Sequence, residues 1–194
     1  MPFELILQNI SKHINLTKEE QTFFVSLLHV KQVKRKHFIL KEGEISKDSI
    51  FVTQGCLRGY TIDRDGSEHV LSFAPANWWI GDMYSLFTQQ PGTMNIEALV
   101  DTDVLTLSRT DQEKLYKEVP TFERFFRIII EKSLVSSQQR IIDNFSLTAE
   151  ERYHKFCKRY PELIETVPQK QIASFIGITP EFLSKLRGRT HSGK

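Results

Sequence analysis

Near the end of the chain, Glu181, Ser184, Lys185, Arg187 and Arg189 put a carboxylate, a hydroxyl, an ammonium and two guanidinium groups within nine residues. A carboxylate accepts from a cytosine amino group, an ammonium donates to guanine, and long cationic side chains reach phosphate oxygens. The same groups scattered on a solvated surface would do none of this, so the framework that carries them decides.

That framework is the stretch from Gln169 to Arg187. Ala173 is small where two helices must cross closely, Gly177 suits the left-handed residue that ends a helix, and Ile172, Ile176, Ile178, Leu183 and Leu186 supply a shared core. Thr179 caps a second helix, in which Pro180 at the first position loses no hydrogen bond. With the apolar positions turned inward, Thr179, Pro180, Glu181, Ser184, Lys185 and Gly188 face outward, as a recognition helix presents itself to the major groove. A helical hairpin that merely packs would not need the cap, the glycine, the alanine and five apolar positions to agree. The pattern therefore predicts a helix-turn-helix with double-stranded DNA as partner. Its expected contact residues are Gln169, Thr179, Pro180, Glu181, Ser184, Lys185, Arg187 and Arg189. Glu181 also complements the helix dipole, and Lys185 serves equally as a surface charge.

The charge distribution points the same way. A net charge of +2 divides into 17 basic against 19 acidic residues over 1–145 and 9 against 5 over 146–194. The basic end is where a polyanion would be met, although a solvated tail has the same composition.

Ahead of this segment the chain reads as an antiparallel β-roll or jelly-roll from Val33 to Ser108. Strands are expected at His37–Leu40, Ser49–Thr53, Leu57–Ile62, Glu68–Phe73, Met94–Val100 and Asp103–Leu107. Arg64-Asp65-Gly66-Ser67 predicts a tight hairpin, with positive φ values supplied by Asp-Gly. Capping boxes at Thr17/Glu20, Thr110/Glu113 and Thr148/Glu151 start helices, the last marking a domain boundary. After Pro120 a helix runs from Thr121 to Phe145, with Phe122, Phe126, Ile130, Leu134, Ser137, Ile141 and Phe145 on one face. From periodicity alone, that stripe packs either on its own roll or against a second copy. The fold class is α+β, and the expected domains are 1–120, a connecting helix 121–147, and a DNA-binding domain 148–194.

Several function classes are disfavoured. The start of the chain has no basic n-region and carries Glu4, and no run of about 18 apolar residues occurs, so the expectation is cytoplasmic with no membrane partner. Cys56 and Cys157 form no CxxC or Cys/His cluster, which predicts buried thiols and neither a metal site nor a cofactor. A cupin-type metalloenzyme needs clustered histidines; the roll offers only His37 and His69, so no enzyme is expected. Trp78-Trp79 suits a core role more than ligand stacking, and Lys31, Lys34, Arg35 and Lys36 suit a solvated loop.

At this point the chain resembles the Crp/Fnr family of bacterial transcription regulators. The resemblance rests on Lys41-Glu42-Gly43-Glu44, Ile50-Phe51-Val52-Thr53-Gln54-Gly55, Gly81-Asp82, the long helix and the helix-turn-helix. It implies a homodimer seamed by the long helix through Phe126, Ile130, Leu134, Ser137 and Ile141, reading a near-palindromic operator, with RNA polymerase as a further partner. It also implies an effector pocket at Gly81, Asp82, Met94 and Asn95, for an effector that the sequence leaves unknown. Members that bind cyclic nucleotides use a Gly-Glu pair for the ribose and an arginine for the phosphate. Here Gly81-Asp82 stands for the first and Met94-Asn95 for the second, with no arginine between Arg64 and Arg109. Cyclic AMP is therefore not the expected effector. The seven residues after Arg187 imply a module without a wing hairpin. The competing reading is an effector-binding module that regulates a protein partner without touching DNA.

Overall fold

The computed structural model describes residues 3–191, with side chains through Gly188. Helices α1 (Glu4–Ser11) and α2 (Lys18–Ser26) precede strands β1 (His29–Val33), β2 (Phe38–Leu40), β3 (Asp48–Gln54), β4 (Cys56–Ile62), β5 (Glu68–Pro75) and β6 (Trp79–Ile80). Helix α3 (Met83–Thr88), strands β7 (Asn95–Ala98) and β8 (Thr102–Ser108), and helices α4 (Arg109–Glu118) and α5 (Thr121–Ser146) follow. Helix α6 (Ala149–Arg159), a 3-10 turn at Pro161–Leu163, and helices α7 (Gln169–Ile176) and α8 (Pro180–His191) complete the described residues.

The fold is α+β, with two four-stranded antiparallel sheets ordered β1-β8-β3-β6 and β2-β7-β4-β5. Strands β3 and β8 are apolar on both sides because both sides are covered. Ile50, Val52 and Val104 join Leu57, Ile96 and Ala98 between the sheets. Phe51, Leu105 and Leu107 instead meet the helices, where Ile6, Phe24, Leu115 and Phe122 complete a second core. Each fully buried phenylalanine of that layer contributes about 1.5–3 kcal/mol.

All six expected strands form, within a few residues at their ends, and β1 and β6 join them. The latter escape a periodicity reading because β1 is an edge strand exposed at four of its five positions and β6 has two residues. Helices α1 and α3 are short and carry few buried positions, Ile6 and Ile10 in the first and Ser85 and Leu86 in the second. Two local expectations need correction. Ser108, not Thr110, caps α4: it ends β8 in extended conformation, and its hydroxyl accepts from the Asp111 amide at 3.0 Å. The hairpin between β4 and β5 is a three-residue loop in which only Gly66 has positive φ. The Asp63 amide donates to the Ser67 carbonyl at 3.0 Å and the Gly66 amide to the Asp63 carbonyl at 3.1 Å, a type I turn closed by a left-handed glycine. The Thr17 and Thr148 capping boxes form with both reciprocal hydrogen bonds.

The chain divides into two compact units: residues up to Thr61 with Ser72–Lys132, and Ile62–Leu71 with everything from Ser133 onward. Helix α5 runs unbroken across the division. No helix among the described residues is long and apolar enough to cross a membrane.

Candidate nucleic-acid interface

Within the second unit, α7 and α8 are joined by Gly177-Ile178-Thr179. Gly177 adopts φ +69°, and the Ile178 amide reaches back to the Ala173 carbonyl at 3.0 Å while the Gly177 amide reaches Ser174 at 3.2 Å, the paired bonds of a Schellman ending. Any L side chain at Gly177 would strain that turn. Ile172, Ala173 and Ile176 of α7 are buried with Leu183 and Leu186 of α8, and the fully buried Ala173 marks the close crossing. Thr179 opens α8 by accepting from the Phe182 amide at 3.2 Å.

With that face buried, Thr179, Pro180, Glu181, Ser184, Lys185 and Gly188 are all exposed, as is Gln169 at the start of α7. Phe182 joins them at 46% exposure, an apolar group on the polar face that the sequence pattern did not single out. Arg187 is placed otherwise: its side chain is only 22% exposed and faces Glu165 at 3.7 Å. Arg189 continues α8, and its side chain lies outside the described residues.

Residues that sequence reasoning did not weigh hold this unit together. Ser174 on α7 accepts from the Val70 amide at 2.9 Å and donates to the Glu68 carbonyl at 2.9 Å, so one hydroxyl fills the hydrogen-bonding edge of the hairpin tip. Arg140 of α5 donates to the Val70 carbonyl at 3.3 Å and lies over the Phe175 ring at 5.2 Å. The tip itself is shaped by Asp63, whose carboxylate takes His69 at 2.6 Å and the Asp65 and Ser67 amides at 2.9 Å each. The bond to His69 and then that to the Ser67 amide hold the Asp63 carboxyl below its usual range. No sequence pattern announces the Ser174 and Arg140 contacts, because each pairs residues far apart in the chain.

The expected seam residues separate. Phe126 is buried in its own unit's core against Trp79, Tyr116 and Phe125 and is spent there. Ile130, Leu134, Ser137 and Ile141 are exposed, accompanied by Val135, Ile142 and Phe145. This apolar surface continues for four turns of helix.

The expected effector residues lie in the roll. Asp82 caps α3, accepting from the Ser85 amide at 3.0 Å, and its other carboxylate oxygen is buried with no hydrogen-bond partner among the described residues. Gly81 precedes it, half exposed. The buried Asn95 accepts from the Glu42 amide at 3.0 Å, and the Met94 thioether packs against the core between the sheets near Gly59. The register opposes Leu57 to Ala98 and Gly59 to Ile96, which places Arg58 and Glu97 on the other face of the sheet. There the Arg58 Nε donates to Glu97 at 2.9 Å and the guanidinium stacks on Tyr60 at 4.0 Å. The one arginine buried in the roll is thus committed to a carboxylate, and the position facing inward holds a thioether. Burial pushes the Cys56 thiol up to about 12, leaving it unreactive at neutral pH.

Residues 30–119 match the family model of the cyclic nucleotide-binding domain. The "Anaerobic regulatory protein" of Haemophilus influenzae is 22% identical to the chain over 97% of it and 73% of the relative. Among solved structures, FixK2 from Bradyrhizobium japonicum superposes with a TM-score of 0.75 at 19% identity, covering 85% of each chain. The Thermus thermophilus catabolite activator protein gives 0.59 at 19% identity, covering 92% of this chain and 85% of that one. The chain thus carries a cyclic nucleotide-binding domain match over its roll and shares its fold along most of its length with these solved structures.

Proposed function

We propose that the protein is a homodimeric DNA-binding regulator that places one α8 in the major groove of each half of a near-palindromic operator. The observation that carries this reading is the α7–α8 pair: a buried Ile172/Ala173/Ile176/Leu183/Leu186 seam beneath an exposed Thr179, Pro180, Glu181, Ser184 and Lys185 face. Glu181 accepts from a cytosine amino group, Lys185 donates to guanine, and Phe182 offers an apolar contact to a thymine methyl. Gln169 and Arg189 serve phosphates, whereas Arg187 must leave Glu165 to do so. The exposed stripe of α5 from Ile130 to Phe145 supports the second copy, since a monomer reaches only one half-site.

The same reading makes the protein cytoplasmic, with RNA polymerase as a further partner and no catalytic activity of its own. His69 is bound to Asp63 at the hairpin tip and His37 to the Arg35 carbonyl, structural uses for both roll histidines. Cyclic AMP and cyclic GMP are not its effectors, because Met94 offers a phosphate no charge and Arg58 is held by Glu97. Calorimetry should detect no binding of either nucleotide, and micromolar binding would refute that part.

The central test is an electrophoretic shift with genomic fragments. Retarded fragments sharing a two-fold motif are the expected result. A chain that shifts none of them, yet binds a protein partner, belongs to the competing class.

A further inference from the structure

The Schellman ending of α7 satisfies the orphan groups it can reach and leaves the Ile176 and Gly177 carbonyls open toward the turn that launches α8. Arg152, on the first turn of α6, takes them both: its Nε donates to the Ile176 carbonyl at 2.8 Å and its Nη2 to the Gly177 carbonyl at 3.4 Å. The same guanidinium reaches the other way. Its Nη1 donates to the Leu147 carbonyl at 2.9 Å and to the Asn144 carbonyl at 3.4 Å, where α5 ends. One cation therefore joins two helix C-termini, each carrying partial negative charge, that would otherwise face one another uncompensated.

We infer that Arg152 is the positioning residue of the recognition helix, fixing the α7–α8 turn against the end of α5 through this four-carbonyl fork. The inference rests on the DNA-binding reading proposed above. Its physical basis is the fork itself. Arginine presents donors in a rigid plane that spans both helix ends, whereas a lysine ammonium is a point charge on a flexible stem and satisfies only one end. Two consequences separate positioning from stability or direct phosphate contact. Arg152→Lys keeps the charge, so attraction to the DNA backbone and its salt dependence stay as they are. It loosens the turn, so the face of Glu181, Ser184 and Lys185 no longer meets base edges in one register.

The experiment uses the full chain. Operators are enriched from random duplexes by the native protein, and native and Arg152→Lys proteins are titrated on the best operator and on unrelated DNA at two salt concentrations. The expected result is a loss of about tenfold on the operator, unrelated DNA held within about twofold, an unchanged salt slope, and a native circular dichroism spectrum. Equal losses on both DNAs, a variant that does not fold, or undiminished operator binding would each overturn the assignment. A native protein that enriches no duplex defeats the DNA-binding reading first, and this inference with it, a result distinguishable from failure of the variant alone.

Discussion

The two halves of helix α5 have similar apolar residues and opposite fates. In the first half Phe122 and Phe125 are fully buried and Phe126 nearly so, packed with Phe24, Trp79 and Tyr116. In the second half Leu134 is 56% exposed and Phe145 is 89% exposed, with Val135, Ile141 and Ile142 between them. The difference lies in what the chain folds against each half. The first half lies against sheet residues Phe51, Leu105 and Leu107, and the second presents its apolar groups outward. An apolar stripe on a helix thus states that something must cover it, and leaves open whether the cover comes from the same chain.

The sharpest way to break this comparison is to truncate one phenylalanine in each half. Phe125→Ala should lower folding stability by about 3–5 kcal/mol through the cavity it leaves, whereas Phe145→Ala should cost the isolated protomer under about 0.5 kcal/mol. Denaturant titrations at low protein concentration measure both, and similar costs would refute the division. Next in size is Leu134→Glu, which should weaken self-association by about 3 kcal/mol by placing an unpaired carboxylate in the seam, while protomer melting stays unchanged. Sedimentation across a concentration series reads the shift, and an undisturbed dimer would move the seam elsewhere.

Smaller effects are expected where the second unit relies on polar contacts. Ser174→Ala removes the hydroxyl that serves Val70 and Glu68 and should cost about 1 kcal/mol. Amide exchange at Val70 should then accelerate about fivefold relative to the native chain, and unchanged exchange would show that the hydroxyl is dispensable. The smallest effect is set by pH. The folded Asp63 carboxyl is depressed, so its contribution to hairpin order is complete above the ordinary aspartate value of about 4 and is lost as pH falls through the lower folded value. Chemical shifts of the Ser67 and Asp65 amides should follow that titration, and Asp63→Asn should abolish it.

The sequence by itself determined the elements whose signals are local. The Thr17 and Thr148 caps, the six expected strands, the break at Pro120, and the Gly177 and Thr179 punctuation of the helix pair all depend on neighbours within a few residues. The exposed face of α8 was legible for the same reason, since a period of 3.6 separates Leu183 and Leu186 from Glu181, Ser184 and Lys185. Tertiary structure alone decided everything that depended on contacts between distant residues. It buried Phe126 in its own core, turned Arg187 toward Glu165, and committed Arg58 to Glu97. It seated Ser174 on the hairpin edge and set Arg152 across two helix ends. Such contacts satisfy backbone groups and charges that must be paired somewhere once buried, and the pairing is chosen by which surfaces meet in space, which no local pattern encodes.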